Sequence, residues 1–273
     1  MSDQAMLRQF MVDWQLCPSA SFPRRYHVSE PSCYEVIRVI DGIPLFLNEH
    51  FDRLTATAAS IGRTLPFTLS DLESRIILLA RENAVENYNV KLIYNDFDHG
   101  GTIYLFFTPT AYPTPEMYAQ GVATDFLHTV RPNPHAKIIN QSLRDNADAL
   151  MAEKGLFEAV LVNERGEVTE GSKSNLFFIR GESLVTSPAD GVLLGVTRQR
   201  ILRLAAGAGI SVSEEPIPAD RLDAFSAAFI SGTSPKVLPI ANIGPVHYDV
   251  NDPLLRRVMD LYDGEIRRYL AAH

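Results

Sequence analysis

Residues 170–178 read EGSKSNLFF, in which a glutamate and a short polar turn precede an apolar run. The apolar residues from Leu176 onward predict the start of a buried strand. A strand needs no acid at its start, so the question is what the carboxylate of Glu170 contacts. One interpretation is a loop glutamate with a solvated side chain, which is where most glutamates lie. The other is a functional carboxylate, and the rest of the chain decides between the two.

Composition limits the classes of protein to which the chain can belong. It has 273 residues, of which 46% are hydrophobic and 21% are charged, as in a globular protein with one large domain or two modest ones. The net charge of −8, without a long basic run, argues against a nucleic-acid-binding protein. It does not exclude one bound phosphate, because a few backbone amides and one arginine suffice for that.

The cysteines and the apolar runs bear on location. Cys17 and Cys33 lack the spacing of metal ligands, so we expect free thiols in a reducing compartment and no metal site. The first residues lack a secretory apolar segment, and no apolar run approaches the roughly 18 residues that span a bilayer. These features predict a cytoplasmic protein that binds neither membrane nor nucleic acid.

The first half of the chain predicts strands combined with two helices. Residues 34–47 are typical of two strands joined by a tight turn, and residues 90–94 and 102–108 predict two more strands. Asn48 and Ser70 are the predicted N-caps of the two helices.

A proline-rich segment indicates the domain boundary. Residues 109–115 (PTAYPTP) hold three prolines, which fit neither a sheet ladder nor a helix interior. We therefore predict a small α/β domain over residues 1–112, a linker over 113–120 and a larger domain over 121–273. The second half alternates short strands with helices, one of them over 141–154, so the whole chain predicts an α+β fold in two domains.

Two basic residues have unusual surroundings. Lys137 follows a turn with two prolines and precedes an apolar pair, and a desolvated lysine is the amine that forms Schiff bases with carbonyl compounds. Arg53 lies beside the apolar stripe of the first predicted helix, and the fork of a guanidinium suits phosphate. Taken singly, each residue is more often a solvated surface residue.

Two glycine-containing segments have the character of anion sites. Gly195 leads into a predicted helix whose first amides, at Val196 and Thr197, would point toward an anion. Residues 231–235 (SGTSP) follow a buried strand, and small residues there allow a concave nest for phosphate oxygens. An ordinary helix start and a plain turn are the alternatives.

One ligand would use all of these features together. Pyridoxal 5′-phosphate has an aldehyde for a lysine and a phosphate for amides and an arginine. It also has a pyridine nitrogen, which a nearby carboxylate such as that of Glu170 keeps protonated. The protonated ring accepts electrons from a carbanion, which is the chemical use of this cofactor.

Five segments form a pattern that is collinear over nearly the whole chain. With them the chain resembles the class IV, or fold-type IV, pyridoxal-phosphate enzymes, which include branched-chain aminotransferases, D-amino-acid aminotransferases and aminodeoxychorismate lyases. The resemblance implies a small α/β N-terminal domain and a larger C-terminal cofactor-binding domain with a β-barrel-like sheet and helices. The segments are 34–54 (YEVIRVIDGIPLFLNEHFDRL), 136–141 (AKIINQ), 168–178 (VTEGSKSNLFF), 193–201 (LLGVTRQRI) and 231–240 (SGTSPKVLPI).

The resemblance implies a role for each candidate residue. Lys137 would be the internal-aldimine lysine and general acid/base, and Glu170 would pair with the pyridine nitrogen. Arg53 would bind the phosphate. The other implied cofactor-binding residues are Val196, Thr197, Thr233 and Ser234 in the phosphate cup, Leu194 beside the ring and Asn175 in support of the Glu170 loop.

Substrate-binding residues follow less directly from the resemblance. Branched-chain enzymes of the family carry a tyrosine five residues after the lysine, where this chain has Ser142, so the partner of the cofactor's phenolic oxygen stays open. D-amino-acid enzymes carry an Arg-x-His carboxylate trap, for which Lys91 or Tyr94 would substitute, or neither would. Tyr34 and Arg38 match aromatic and basic substrate-side positions, although both places also suit structural residues.

The activity implied is ping-pong transamination between an amino acid and a 2-oxo acid through a Lys137 aldimine. The resemblance also implies a homodimer with the active site near its interface. Two alternatives stay open: a lyase that eliminates pyruvate on the same cofactor, and a non-catalytic pyridoxal-phosphate carrier. The sequence determines neither the amino donor nor its stereochemistry, because the outer residues of a site set these on any fold.

Overall fold

The chain folds as two compact units. The computed structural model describes residues 3–95, 97–110 and 112–273, so the start of the predicted first domain and Ala111, near its predicted end, lie outside the described residues. Unit 1 comprises Met1–Ala111, Ala136–Ile139 and Ile266–His273, and unit 2 comprises Tyr112–His135 and Asn140–Glu265. The predicted boundaries at 112 and 121 stay a prediction.

Unit 1 is built on a six-stranded antiparallel sheet with helices. Its strands are β1 (Gln9–Val12), β2 (Gln15–Pro18), β3 (Cys33–Ile40), β4 (Ile43–Pro44), β5 (Tyr88–Asn95) and β6 (Thr102–Phe107), and its helices are α1 (Phe22–Arg25), α2 (Leu47–Ser60) and α3 (Leu69–Asn83). The strand order is β2-β1-β6-β5-β3-β4. Side chains alternate between buried and half-buried along β3, since successive residues of a strand point to opposite faces. One face of β3 therefore lies in the core of unit 1.

Both predicted helix starts in unit 1 are wrong by two residues. The N-cap of α2 is Phe46 rather than Asn48, and Phe46 adopts a left-handed conformation with its ring packed edge-on against Tyr269. Packing of an apolar side chain, rather than a polar cap, sets this start. The N-cap of α3 is Thr68 rather than Ser70, because Thr68 and Asp71 form a reciprocal capping box.

Unit 2 contains a ten-stranded mixed sheet and four helices. Nine strands follow the order β12-β11-β10-β14-β15-β7-β8-β9-β13, and β16 pairs with β15. The helices are α4 (Pro115–Gln120), α5 (Gln141–Lys154), α6 (Val196–Gly207) and α7 (Pro253–Ala271), of which the last runs into the segment assigned to unit 1. The strands are β7 (Val122–His128), β8 (Glu158–Val162), β9 (Glu167–Gly171), β10 (Asn175–Arg180), β11 (Ser183–Thr186), β12 (Ser211–Glu214), β13 (Ile217–Pro218), β14 (Ala227–Gly232), β15 (Lys236–Ile243) and β16 (Val246–His247).

The segment predicted as a linker contains a helix, α4. Thr114 caps it by accepting a hydrogen bond from the N–H of Met117, and Pro115 occupies the first helical position. Proline is tolerated there because the N–H that it lacks would have no partner within the helix. The prolines thus begin a short helix instead of excluding one.

The predicted α+β class is confirmed, because each unit combines a sheet with helices. The predicted helix over 141–154 is α5, with Asn140 as its cap and Gly155 after its last residue. In the described part of the chain, no helix combines the length and the apolar character needed to cross a membrane.

Candidate active site

Lys137 lies in unit 1 on the short segment Ala136–Ile139, which runs beside β3. Its N–H donates to Oγ1 of Thr57 (3.2 Å), and its carbonyl accepts from the N–H of Tyr34 (3.1 Å). The side chain is half-buried, and Nζ lies 4.7 Å from the centre of the Tyr34 ring. The backbone of Lys137 is therefore held from two sides, while its amine lies over an aromatic face that attracts positive charge.

Arg53, on α2, is held by a buried carboxylate. Its Nε and Nη2 donate to the two oxygens of Glu35 at 2.7 Å each, and Nδ1 of His50 lies 2.8 Å from Oε2 of Glu35. Burial by itself would raise the pKa of Glu35, but Arg53 and His50 lower this pKa to about 2. Burial lowers the pKa of Arg53, and the pairing with Glu35 outweighs burial so that the pKa is raised. This network fixes the orientation of the guanidinium, and its contact with a phosphate stays a prediction.

The candidate substrate residues Tyr34, Arg38 and Lys91 lie on one face of the sheet of unit 1. Tyr34 and Arg38 are four residues apart on β3, and Lys91 pairs with Val36, which lies between them. Lys91 is buried, donates to the carboxylate of Asp3 and lies 5.2 Å from the centre of the Tyr34 ring. Both Lys91 and Lys137 therefore contact the same aromatic ring, which joins a candidate substrate residue to the candidate catalytic amine.

The other residue considered for carboxylate binding, Tyr94, points away from Lys91. It is three residues further along β5, so its side chain lies on the opposite face of the strand. Its hydroxyl donates to the carbonyl of Thr64 at 3.5 Å, and burial raises its pKa. Ser142 lies in the first turn of α5, where its hydroxyl donates to Oδ1 of Asn140.

Glu170, at the end of β9, is buried and its two oxygens have different partners. Oε1 accepts from Nε of Arg131 (2.5 Å). Oε2 accepts from the N–H of Leu193 (3.0 Å) and from Nδ2 of Asn175 (3.4 Å), and the same Nδ2 donates to the carbonyl of Leu193 (2.8 Å). The carboxylate is thus held by an ion pair and by the segment before α6, which is a built site rather than a solvated loop position.

The start of α6 has the features of an anion site. Its N-cap, Gly195, offers no side-chain cap, and the first turn contains no acid. Val196 and Thr197 are buried, and Oγ1 of Thr197 lies 3.2 Å from the hydroxyl of Tyr262. Leu194 is more exposed, at 37%. The first amides of α6 therefore follow directly after the segment that hydrogen-bonds to Glu170.

Thr233 and Ser234 lie in the turn between β14 and β15 and are half-buried. Ser231, just before this turn, pairs with Asn175 of β10. Unit 2 therefore brings the second candidate phosphate segment next to the strand that begins at Asn175. The candidates of unit 2 are Glu170, Asn175, Leu194, Val196, Thr197, Thr233 and Ser234, and those of unit 1 are Lys137, Arg53, Tyr34, Arg38 and Lys91.

Three residues with direct roles in these networks were not predicted from the sequence. Arg131 pairs with Glu170, while Glu35 and His50 hold Arg53. Arg131 is the basic residue at the start of the proline-rich turn before Lys137, and Glu35 is an acid in an apolar strand, so each carried a local signal. The sequence alone did not identify their partners, because Arg131 is 39 positions from Glu170 and Glu35 is 18 positions from Arg53.

Comparison with known proteins gives one family. The model of the family described as amino-transferase class IV matches residues 32–243. A D-alanine aminotransferase of Listeria monocytogenes serotype 1/2a (strain 10403S) is 32% identical in an alignment of 232 residues that covers 78% of each chain. A Methanocaldococcus jannaschii protein with the provisional name branched-chain-amino-acid aminotransferase is 29% identical in an alignment of 223 residues that covers 77% of each chain.

Solved structures give the same fold. The branched-chain amino acid aminotransferase from Thermobaculum terrenum, in its pyridoxal-phosphate form, aligns with a TM-score of 0.81 over 97% of both chains. The sequence identity in this alignment is 21%. A likeness at this level of identity bears on the fold alone.

Proposed function

Since the chain belongs to the class IV aminotransferase family, we propose that it moves an amino group between an amino acid and a 2-oxo acid with pyridoxal 5′-phosphate held by Lys137. The family resemblance read from the sequence is confirmed by the same matches. The observation that carries the proposal is the buried carboxylate of Glu170 with its three donors. A buried acid held in this way is suited to a positive partner such as a protonated pyridine nitrogen.

The residues present fit this cofactor. The start of α6 leaves its first amides without a side-chain cap, as a phosphate site requires. A Cβ on Gly195 would lie 2.2 Å from Oδ1 of Asn175, so a glycine allows the helix start to pack directly on the support of Glu170. Arg53 would add a charged phosphate donor. When bound, the cofactor supplies an electron-withdrawing ring that stabilises negative charge at the substrate Cα.

Lys137 would hold the cofactor and later move a proton. Its amine would be the nucleophile for the aldehyde of the cofactor, and Nζ would take the proton from the substrate Cα. The hydrogen bonds to Thr57 and from Tyr34 fix the backbone that carries this amine. The Tyr34 ring beside Nζ limits the positions that the amine can take.

Glu170 would keep a proton on the pyridine nitrogen. A carboxylate performs this role only while it is ionised, and the guanidinium of Arg131 offsets the cost of burying its charge. Asn175 and the N–H of Leu193 set the direction of the second oxygen. Arg131 therefore joins Glu170 in the proposed machinery.

The proposed substrates are amino acids of the branched-chain or D-amino-acid type, as in the relatives. Lys91 is the proposed carboxylate anchor, with Tyr34 and Arg38 on the same face of the sheet. Its pairing with Asp3 means that a substrate carboxylate would compete with Asp3 for the ammonium.

We further propose a cytoplasmic homodimer. Light scattering tests its mass, which should be twice the chain mass of 30.4 kDa.

Borohydride reduction tests the attachment of the cofactor. In the purified protein, reduction followed by peptide mass mapping should place the cofactor on Lys137. Lys137→Ala should lose the modification and the amino transfer, whereas Lys154→Ala, at an exposed lysine paired with Asp125, should keep both. A modification that persists in Lys137→Ala would refute the assignment.

A donor screen separates transamination from the two alternatives. Amino acids of L and D configuration are supplied singly with a 2-oxo acid acceptor, and both products are measured. Transamination predicts one new amino acid for each 2-oxo acid released. Pyruvate release from an aminodeoxychorismate-type substrate without an acceptor would favour the lyase, and bound cofactor without any product would favour the carrier.

A further inference from the structure

A second buried glutamate organises the turn between Glu170 and Asn175. We propose that Glu158 is a positioning residue for the amino transfer: its carboxylate fixes the turn over residues 171–174 and thereby the orientation of the Glu170 carboxylate. This inference deepens the proposed function of Glu170 and rests on it.

The carboxylate of Glu158 accepts hydrogen bonds on both oxygens. Oε1 accepts from the N–H (3.1 Å) and the hydroxyl (2.6 Å) of Ser172 and from the N–H of Ala159 (3.0 Å). Oε2 accepts from the hydroxyl of Ser174 (2.8 Å) and from the N–H of Lys173 (3.3 Å). Four of these five donors belong to three consecutive residues, so the carboxylate is the template on which the turn is folded.

The turn connects to Glu170 at both of its ends. The carbonyl of Ser172 accepts from Nη2 of Arg131 (2.9 Å), and Nε of the same guanidinium donates to Glu170. At the other end Ser174 precedes Asn175, whose Nδ2 donates to Glu170 (3.4 Å). A shift of the turn would therefore move two of the three groups that hold the Glu170 carboxylate.

Close packing leaves the turn little freedom. The N–H of Gly171 donates to the carbonyl of Ser174 at 2.8 Å. A Cβ on Gly171 would lie 2.2 Å from Oγ of Ser174 and 3.0 Å from Cδ of Glu158. The backbone of Gly171 is not left-handed, so only packing excludes a side chain there. A side chain at Gly171 would therefore collide with the hydrogen-bonded pair of Ser174 and Glu158.

An ionised carboxylate suits this position better than its amide. All five groups around Glu158 are donors, and a carboxylate offers only acceptors. In glutamine one oxygen becomes an NH₂ group, which would face the N–H of Lys173 or of Ser172. The ammonium of Lys173 is paired elsewhere, with Asp148 at 2.7 Å. Hydrogen bonds from the turn therefore match the acceptor-only character of the Glu158 carboxylate.

The experiment compares two variants with two matched controls. Glu158→Gln is paired with Glu215→Gln, at a partly exposed glutamate that pairs with Arg180. Gly171→Ala is paired with Gly207→Ala, where an added Cβ meets nothing within 4 Å. For each cofactor-saturated protein, kcat and KM of the amino transfer are measured. Hydrogen exchange of the peptide over residues 168–178 gives a readout that is independent of activity.

A positioning role predicts a specific pattern. Glu158→Gln and Gly171→Ala should lower kcat by about tenfold to a hundredfold, as is typical when a group behind a functional residue is lost. KM should stay within about threefold, because the substrate contacts are unchanged. Exchange over 168–178 should become faster. The two controls should match the unmodified protein in all three measurements.

Two results would overturn the inference. In Glu158→Gln, a lower melting temperature with an unchanged kcat would show that Glu158 only stabilises the fold. Full activity of both Glu158→Gln and Gly171→Ala, while Glu170→Gln is inactive, would refute the positioning role and leave the role of Glu170 intact. If Glu170→Gln itself is fully active, the proposed function of Glu170 fails first. Should Glu158→Gln not fold, Gly171→Ala and the milder Ser174→Ala give the answer.

Discussion

Glu35, Lys91 and Glu170 are charged side chains that are 1%, 3% and 2% exposed. Burying a charge costs on the order of several kcal/mol unless an opposite charge and hydrogen bonds replace its lost contacts with water. Each of the three has an ion partner: Arg53 for Glu35, Asp3 for Lys91 and Arg131 for Glu170. Stability does not require such pairs, since apolar residues can fill the same volume, and so these buried pairs mark candidates for a functional role.

At the residue scale, Glu170→Gln should retain the cofactor but lose most of the turnover. Glutamine keeps the shape of the side chain but cannot hold a proton on the pyridine nitrogen through opposite charge. We expect kcat to fall by about a hundredfold or more, the loss typical for removal of a preorganised electrostatic contact. Steady-state kinetics at saturating cofactor measure it. Glu167→Gln, at the half-buried first residue of the same strand, is the control, and equal kcat values for the two variants would remove the role.

A second residue-scale prediction concerns pH. Burial lowers the pKa of His50 below its ordinary value of 6.5, so the unfolded chain binds a proton more readily than the folded one. The free energy of unfolding should therefore fall as the pH drops below about 6.5. Glu35, with a pKa lowered from 4.5 to about 2, adds a loss of stability only at more acidic pH.

Urea unfolding at about pH 7.5 and about pH 5.5 isolates the contribution of His50 from that of Glu35. In His50→Gln the difference in free energy of unfolding between these two conditions should shrink. His128→Gln, at an exposed histidine, should keep the full difference. An unchanged difference in His50→Gln would show that the buried imidazole does not control this pH dependence.

At the element scale, the start of α3 tests the corrected helix cap. Oγ1 of Thr68 accepts from the N–H of Asp71 (3.2 Å), and Oδ2 of Asp71 accepts from the N–H of Thr68 (2.9 Å). Thr68→Ala should lower the free energy of unfolding by about 1 kcal/mol. Ser70→Ala should not lower it, because Ser70 is exposed inside the helix, where alanine is favoured. Equal losses in urea unfolding would contradict the assignment.

The start of α6 gives a second prediction at this scale. In Gly195→Ala the new Cβ would lie 2.2 Å from Oδ1 of Asn175, so that side chain must move away from Glu170 and Leu193. We expect the dissociation constant for pyridoxal 5′-phosphate to rise by about tenfold, as overpacking by one methyl group commonly costs. Absorbance titration of the cofactor-free protein measures it. Gly191→Ala, where a Cβ meets nothing within 4 Å, should bind like the unmodified protein.

Elements with strong periodicity or good caps could be predicted from the sequence. The helix over 141–154 has both Asn140 and Gly155 at its ends. The hairpin of β1 and β2 was missed, because its turn places Asp13 and Trp14 at positive φ, and a tryptophan gives no turn signal. The ring centres of Trp14 and Phe67 are 5.0 Å apart, so tertiary packing stabilises this turn. Tertiary packing also explains the start of α2, where the ring of Phe46 packs against Tyr269.

The candidate site was predictable only in part. Local sequence singled out Lys137 and Glu170, because a lysine before an apolar pair and an acid before a strand are unusual. It did not single out Arg131 or Glu158, since their importance comes from partners that are distant along the chain. Hydrogen-bond partners become visible only when the strands of a sheet are placed side by side.

At the scale of the whole molecule, each unit carries its own sheet, its own core and its own set of candidate residues. Unit 1 carries the candidate amine of Lys137, and unit 2 carries the candidate carboxylate of Glu170 and the start of α6. Only a measurement on the entire chain tests these groups together. The visible spectrum of the bound cofactor provides one, because it changes when the cofactor accepts an amino group.

The most direct measurement is that spectrum during the addition of single amino acids, first L and then D. We expect the absorbance band of the lysine-bound cofactor to bleach with at least one donor and to return when a 2-oxo acid is added. Lys137→Ala should lack the band from the start. A protein that shows no such band after incubation with pyridoxal 5′-phosphate, or a band that no amino acid changes, would contradict the proposed amino transfer.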